Sequence, residues 1–109
     1  MHNDAYFGME KKRYETRGIQ SRIPIEYRYL LWLLVDELCQ EMQADYLQVF
    51  QFTYETDGGR GVTQTILHSQ ELPDYSMAYE FPMSEMGIEE KVYVIDNGEC
   101  CTMLLAEEY

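Results

Sequence analysis

Between Pro24 and Ala44 the apolar residues recur with a helical period, and from Tyr46 to Ala106 the period falls to two and stays there. A chain with one helical stripe and a run of half-buried strands has few ways to bury both. The helix must lie on one face of a sheet built mostly from hairpins. Pro24 suits a first helical turn, and Glu26 sits near its positive end. At about 100° per residue, Tyr27, Leu31, Leu34, Val35, Leu38 and Met42 fall on one stripe, the core face. Tyr29 and Leu33 project from the far side beside Asp36, Glu37 and Gln40, so the helix is either covered on both sides or exposes a small apolar patch.

Upstream, Arg13 to Ile19 reads as a short strand ended by Gly18, and residues 1–8 read as a flexible extension ahead of a single domain over 9–109. Tyr46 to Glu55 and Val62 to Gln70 make a hairpin around the turn Thr56 to Gly61. After Leu72-Pro73-Asp74, the residues Tyr75, Met77, Tyr79 and Phe81 alternate with Ser76, Ala78 and Glu80, giving a half-buried strand. Pro82 to Glu90 reads as a loop. Lys91 to Asp96 and Glu99 to Ala106 then flank Asn97-Gly98, a turn dipeptide whose two central positions call for positive φ. The expected fold is α+β: one amphipathic helix packed on a curved, mainly antiparallel sheet of five to six strands, in the order β-α-β-β-β-β-β.

Charge is distributed unevenly along this framework. Met1 to Arg28 holds six basic and four acidic residues, whereas Tyr29 to Tyr109 holds two basic and sixteen acidic, and the whole chain carries −12. At 109 residues, 46% of them hydrophobic, the chain fills one core and is not compositionally disordered. The longest apolar run, Tyr29 to Val35, is far short of the ~20 residues of a membrane span, and the N-terminus has no signal-peptide pattern. Cys39, Cys100 and Cys101 have no metal-type spacing and read as free thiols. A cytoplasmic location without membrane contact is the expectation.

The candidate chemistry is sparse. A metal centre would need His68 to converge with carboxylates or thiols, and no pair has ligand spacing, so no metal and no cofactor are expected. As a base, His68 would share a face with Val62, Gln64 and Ile66 while Ser69 points the other way, and a structural histidine is the preferred reading. Asp57 to Gly61 lacks the Lys-Ser/Thr that follows a phosphate-binding loop and joins two strands. No catalytic residues are assigned, and the chain reads as a non-enzyme. The basic stretch Lys11, Lys12, Arg13, Arg17, Arg22 and Arg28 is expected to pair with the acidic body, because a field of −12 opposes direct nucleic-acid binding.

Several strings look familiar together: Thr16-Arg17-Gly18-Ile19, Ile23-Pro24 leading into Leu31-Trp32, Asp45 to Phe50, His68 to Glu71, and Thr102 to Tyr109. They resemble a family of small proteins from Gram-positive bacteria and their phages or plasmids, the staphylococcal domain of unknown function DUF960, over about Met9 to Tyr109. The resemblance implies a mobile-element setting and supplies no reaction, ligand or site residue.

The functional expectation is a non-enzymatic acidic module that blocks the basic groove of a nucleic-acid-binding host protein, because closely spaced carboxylates resemble a phosphate backbone. A CRISPR effector nuclease of the Cas9 type is the most specific candidate partner, which would make the chain an anti-CRISPR-like inhibitor. The partner-binding residues would be Tyr29, Leu33, Asp36, Glu37, Glu41, Asp45, Glu89, Glu90, Asp96, Glu99, Glu107 and Glu108. The alternative is a structural or regulatory homo-oligomer, a homodimer for instance, closed by Tyr29, Trp32 and Leu33. A small enzyme using His68 with Glu71 or Glu80 is the third reading.

Overall fold

The computed structural model describes residues 6–83 and 86–109. Strand β1 (Lys12–Glu15) leads into helix α1 (Arg17–Arg22) and helix α2 (Ile25–Glu41). Strands β2 (Leu47–Thr56), β3 (Val62–Gln70), β4 (Tyr75–Met83), β5 (Glu90–Asp96) and β6 (Cys100–Leu105) follow, and a 3-10 turn over Ala106–Glu108 ends the chain. The six strands form one open sheet in the order β1-β6-β5-β2-β3-β4. All pairings are antiparallel except β1 with β6, which run parallel in a register that sets Tyr14 opposite Thr102.

The α2 stripe is the one the period requires. Leu31, Leu34, Val35 and Leu38 are buried against Phe50, Phe52, Ile66, Val92, Val94, Met103 and Leu105, with Tyr27 and Met42 packed at its ends. Both free edges of the sheet meet the same helix. On one side Glu15 of β1 accepts from Trp32 Nε1 at 2.9 Å, and on the other Tyr27 donates to Met83 Sδ at 3.4 Å with its ring 6.5 Å from Phe81 of β4. The sheet therefore curves around α2, and only the outward arc of the helix faces solvent.

Three local expectations are corrected. The strand expected over Arg13 to Ile19 stops at Glu15, because Thr16 is a helix cap: its Oγ1 accepts from Ile19 N at 3.2 Å and donates to Glu108 Oε1 at 2.7 Å. Gly18 lies within α1, where an added Cβ would come 2.6 Å from Glu108 Oε2, so the carboxylate can approach the helix start only over a glycine. Thr16→Ala removes this cap and is expected to lower stability by about 1 kcal/mol, read as a shifted urea midpoint at unchanged slope.

The extension expected over residues 1–8 overlaps residues 1–5, which lie outside the described residues, as does His2. Phe7 is buried in the core cluster, and its N–H donates to Asp96 Oδ2 at 2.6 Å. In the last hairpin Asn97 N donates to Cys100 O, so Gly98 and Glu99 occupy the central turn positions in place of Asn97 and Gly98, and Gly98 alone takes positive φ, at 105°. Asn97 serves instead through its side chain, whose Oδ1 accepts from Glu99 N and Cys100 N.

Candidate protein-binding surface

The outward arc of α2 is divided by the two sheet edges into unlike flanks. On the flank toward β1 the charges that face α2 are paired. Arg13 pairs with Asp36, its Nη1 3.2 Å from Oδ2, and lies 4.8 Å over the Trp32 ring. Arg28 donates to Glu15 Oε1 at 2.9 Å, and Glu15 Oε2 takes the Trp32 indole. These residues, with Tyr14, Gln20, Tyr29 and Leu33, line a groove of about 670 Å³ along the free edge of β1.

The crest between the flanks is a single row. Tyr29, Leu33, Glu37 and Glu41 follow one another at four-residue spacing, about 6 Å per step along the helix axis. Tyr29 is 82% and Leu33 52% exposed, and Glu37 and Glu41 are exposed and pair with no cation among the described residues. The acidic half leans toward β4. Burial first, then neighbouring Tyr75 and the carboxylates of Glu37 and Glu41, push the Tyr79 phenol up to about 12. No cation among the described residues offsets the like-charge repulsion within this pair, which costs the helix a few tenths of a kcal/mol.

The remaining carboxylates of the expected set have other employment. Asp45 Oδ1 accepts from Tyr46 N at 2.7 Å and Oδ2 from Leu72 N at 3.2 Å, which fixes the start of β2 against the β3–β4 turn. Asp96 is buried and accepts from Phe7 N, Lys11 Nζ at 2.8 Å and Gly98 N at 2.7 Å. Glu90 and Glu107 share Arg22, at 3.6 and 3.1 Å, and Glu108 accepts from Leu105 N as well as from Thr16 and Gly18. Asp36, Asp45, Glu90, Asp96, Glu107 and Glu108 are thus engaged inside the fold. Glu89 and Glu99 are exposed at opposite ends of β5 and do not join the α2 row. Helix periodicity put Tyr29 and Leu33 on the outward side beside Glu37, where they are exposed, and could not reveal which carboxylates the fold would claim, since their partners lie up to 92 residues away.

His68 has no route to solvent. It is fully buried, stacked on Phe50 at 4.3 Å, with Nε2 2.6 Å from Gln48 Oε1. The Gln48 amide nitrogen donates to Gln70 Oε1 and Asp45 O, both at 2.8 Å, so its oxygen faces His68 and the imidazole carries its proton on Nε2. Burial lowers the His68 pKa to about 4, and Nδ1 has no hydrogen-bond partner among the described residues. Glu71 and Glu80 are exposed and make no hydrogen bond to it. Burial pushes the Cys101 thiol up to about 11, and it too is fully enclosed. Among the described residues no group of three or more His, Cys, Asp or Glu could hold a metal ion, and no helix is long and apolar enough to cross a membrane.

A crystal structure of a protein of unknown function from Enterococcus faecalis superposes with a TM-score of 0.76, covering 100% of this chain and 98% of that one at 24% identity, and so shares the fold. A search of curated proteins returns no match. The profile described as "Staphylococcal protein of unknown function" matches residues 12–108, nearly the whole chain. The chain belongs to this family, DUF960.

Proposed function

We propose that the protein is a non-enzymatic binding module whose recognition element is the α2 row Tyr29-Leu33-Glu37-Glu41. The observation that carries this reading is the order of the row: two exposed apolar side chains followed by two exposed carboxylates with no cation partner among the described residues. An apolar anchor beside an acidic stretch suits a basic cleft with an apolar floor. There the anchor supplies affinity and the charges steer encounter. The partner is a basic nucleic-acid-binding protein of the host, and the module acts by occupying the groove that nucleic acid would use. A CRISPR effector nuclease is the most specific form of this proposal, drawn from the mobile-element setting that the family resemblance implies. Ion pairing of Lys11, Arg13, Arg22 and Arg28 within the fold supports it, because it removes most of the basic stretch from competition and leaves the acidic excess outward.

Immobilised protein exposed to a lysate of a Gram-positive host is expected to retain a basic protein at low salt and to release it by ~0.5 M salt, where the Debye length falls to a few ångströms. Retention that is indifferent to salt would sink the electrostatic reading.

A further inference from the structure

The free edge of β1 is self-complementary. Thr16 N donates to Met103 O of β6, so by strand alternation the peptide groups of Lys12 and Tyr14 also point to β6, and those of Arg13 and Glu15 point outward from the sheet. Across this edge the exposed Gln20 side chain donates from Nε2 to Glu15 O at a long 3.3 Å. The groove of about 670 Å³ described above runs along it.

We propose that a second copy of this chain pairs with the β1 edge, antiparallel about a two-fold axis at Tyr14, joining two sheets into one. Three observations select this occupant and this register. First, a two-fold antiparallel ladder must match outward-facing peptide groups. With the axis at Tyr14, Arg13 and Glu15 of one copy exchange backbone hydrogen bonds with Glu15 and Arg13 of the other. Second, an axis at Arg13 or at Glu15 would set like charges directly opposite, whereas the Tyr14 axis sets each arginine opposite a glutamate. That extends the Asp36–Arg13 and Glu15–Arg28 pairs into alternating rows. Third, two chains of −12 repel nearly everywhere, and the segment holding β1 is the one stretch with a net positive charge, six basic against four acidic residues over Met1 to Arg28.

Pairing there leaves Glu37 and Glu41, on the flank toward β4, uncovered. Self-association therefore doubles the acidic half of the α2 row, while Tyr29 and Leu33 line the groove beside the seam.

The register gives a sharp test. Across the axis the two Tyr14 Cα atoms lie ~4.5 Å apart, within disulfide reach, while the two Lys12 Cα atoms are offset by four residues, roughly 14 Å. Light scattering on the full chain at high micromolar concentration is expected to give twice the 13.0 kDa monomer mass. Under mild oxidation Tyr14→Cys should form a covalent dimer at least about tenfold faster than Lys12→Cys, with the parent chain as control for Cys39 and Cys100. A monomeric mass overturns the proposal. So does a dimer in which Lys12→Cys cross-links as readily as Tyr14→Cys, or in which neither does.

Discussion

Asp96→Ala is expected to lower unfolding free energy by about 3–5 kcal/mol, the range for removing one partner of a buried charged pair. Its carboxylate is enclosed and accepts from Phe7 N, Gly98 N and Lys11 Nζ, so it fastens the N-terminal turn and the β5–β6 turn to one point. Lys11 keeps some exposure and Gly98 lies in an exposed turn, so both can turn to water, but the buried Phe7 N–H cannot, and an orphaned donor costs about 1–3 kcal/mol. Phe7 then loses its tether, and a fully buried phenylalanine contributes about 1.5–3 kcal/mol. Burial alone would raise the Asp96 pKa, but the Lys11, Phe7 and Gly98 hydrogen bonds more than offset it and hold the carboxyl below its ordinary value. A depressed carboxylate stabilises the fold above its unfolded pKa of about 3.9, and that contribution is lost as pH falls below it. Urea titration of the variant checks the magnitude; a loss under about 1 kcal/mol would mean that the turns are held some other way.

Acid should destabilise the protein well before Asp96 protonates. His68 has a folded pKa of about 4 against an ordinary value of 6.5. The unfolded chain therefore binds a proton that the folded chain refuses between these limits. Stability is full above pH 6.5 and declines as pH falls toward 4, by about 3 kcal/mol in all. The structural cause is burial, and the added proton would sit on Nδ1, which has no acceptor among the described residues. His68→Gln keeps a donor for Gln48 and does not titrate, so its stability should be nearly flat over this window. Urea midpoints at pH 7 and pH 4.5 for both proteins decide the matter: parallel declines would show that the histidine is not the source.

The helix and the antiparallel strands were legible because each announces itself by its own period. Leu31, Leu34, Val35 and Leu38 are buried where the 3.6-residue repeat puts them, and Gln64, Ile66, His68 and Gln70 share a face because strands alternate. What was not legible depends on pairing between distant residues. The string Thr16-Arg17-Gly18-Ile19 is poor in helix formers, and its helix rests on Thr16 as cap and on Glu108, which arrives from the far end of the chain. Phe7 looked like part of a loose tail because its anchor, Asp96, lies 89 residues on. The candidate surface divides in the same way. The Tyr29-Leu33-Glu37-Glu41 row follows from helix geometry alone, whereas the engagement of Asp36, Asp96 and Glu108 by partners within the fold follows from the parallel β1–β6 pairing, which has no local mark in the sequence.

The central claim is that this row displaces nucleic acid from a basic partner, and a competition measurement tests it most directly. Host proteins held on immobilised DNA are challenged with the wild-type chain or with the quadruple variant Tyr29→Ala, Leu33→Ala, Glu37→Gln and Glu41→Gln, its fold checked by circular dichroism. The account predicts that the wild-type chain elutes a particular DNA-binding protein and that the variant needs at least about tenfold more to do so, a difference of about 1.4 kcal/mol in binding. Equal elution by both chains, or none by the wild type, would contradict it.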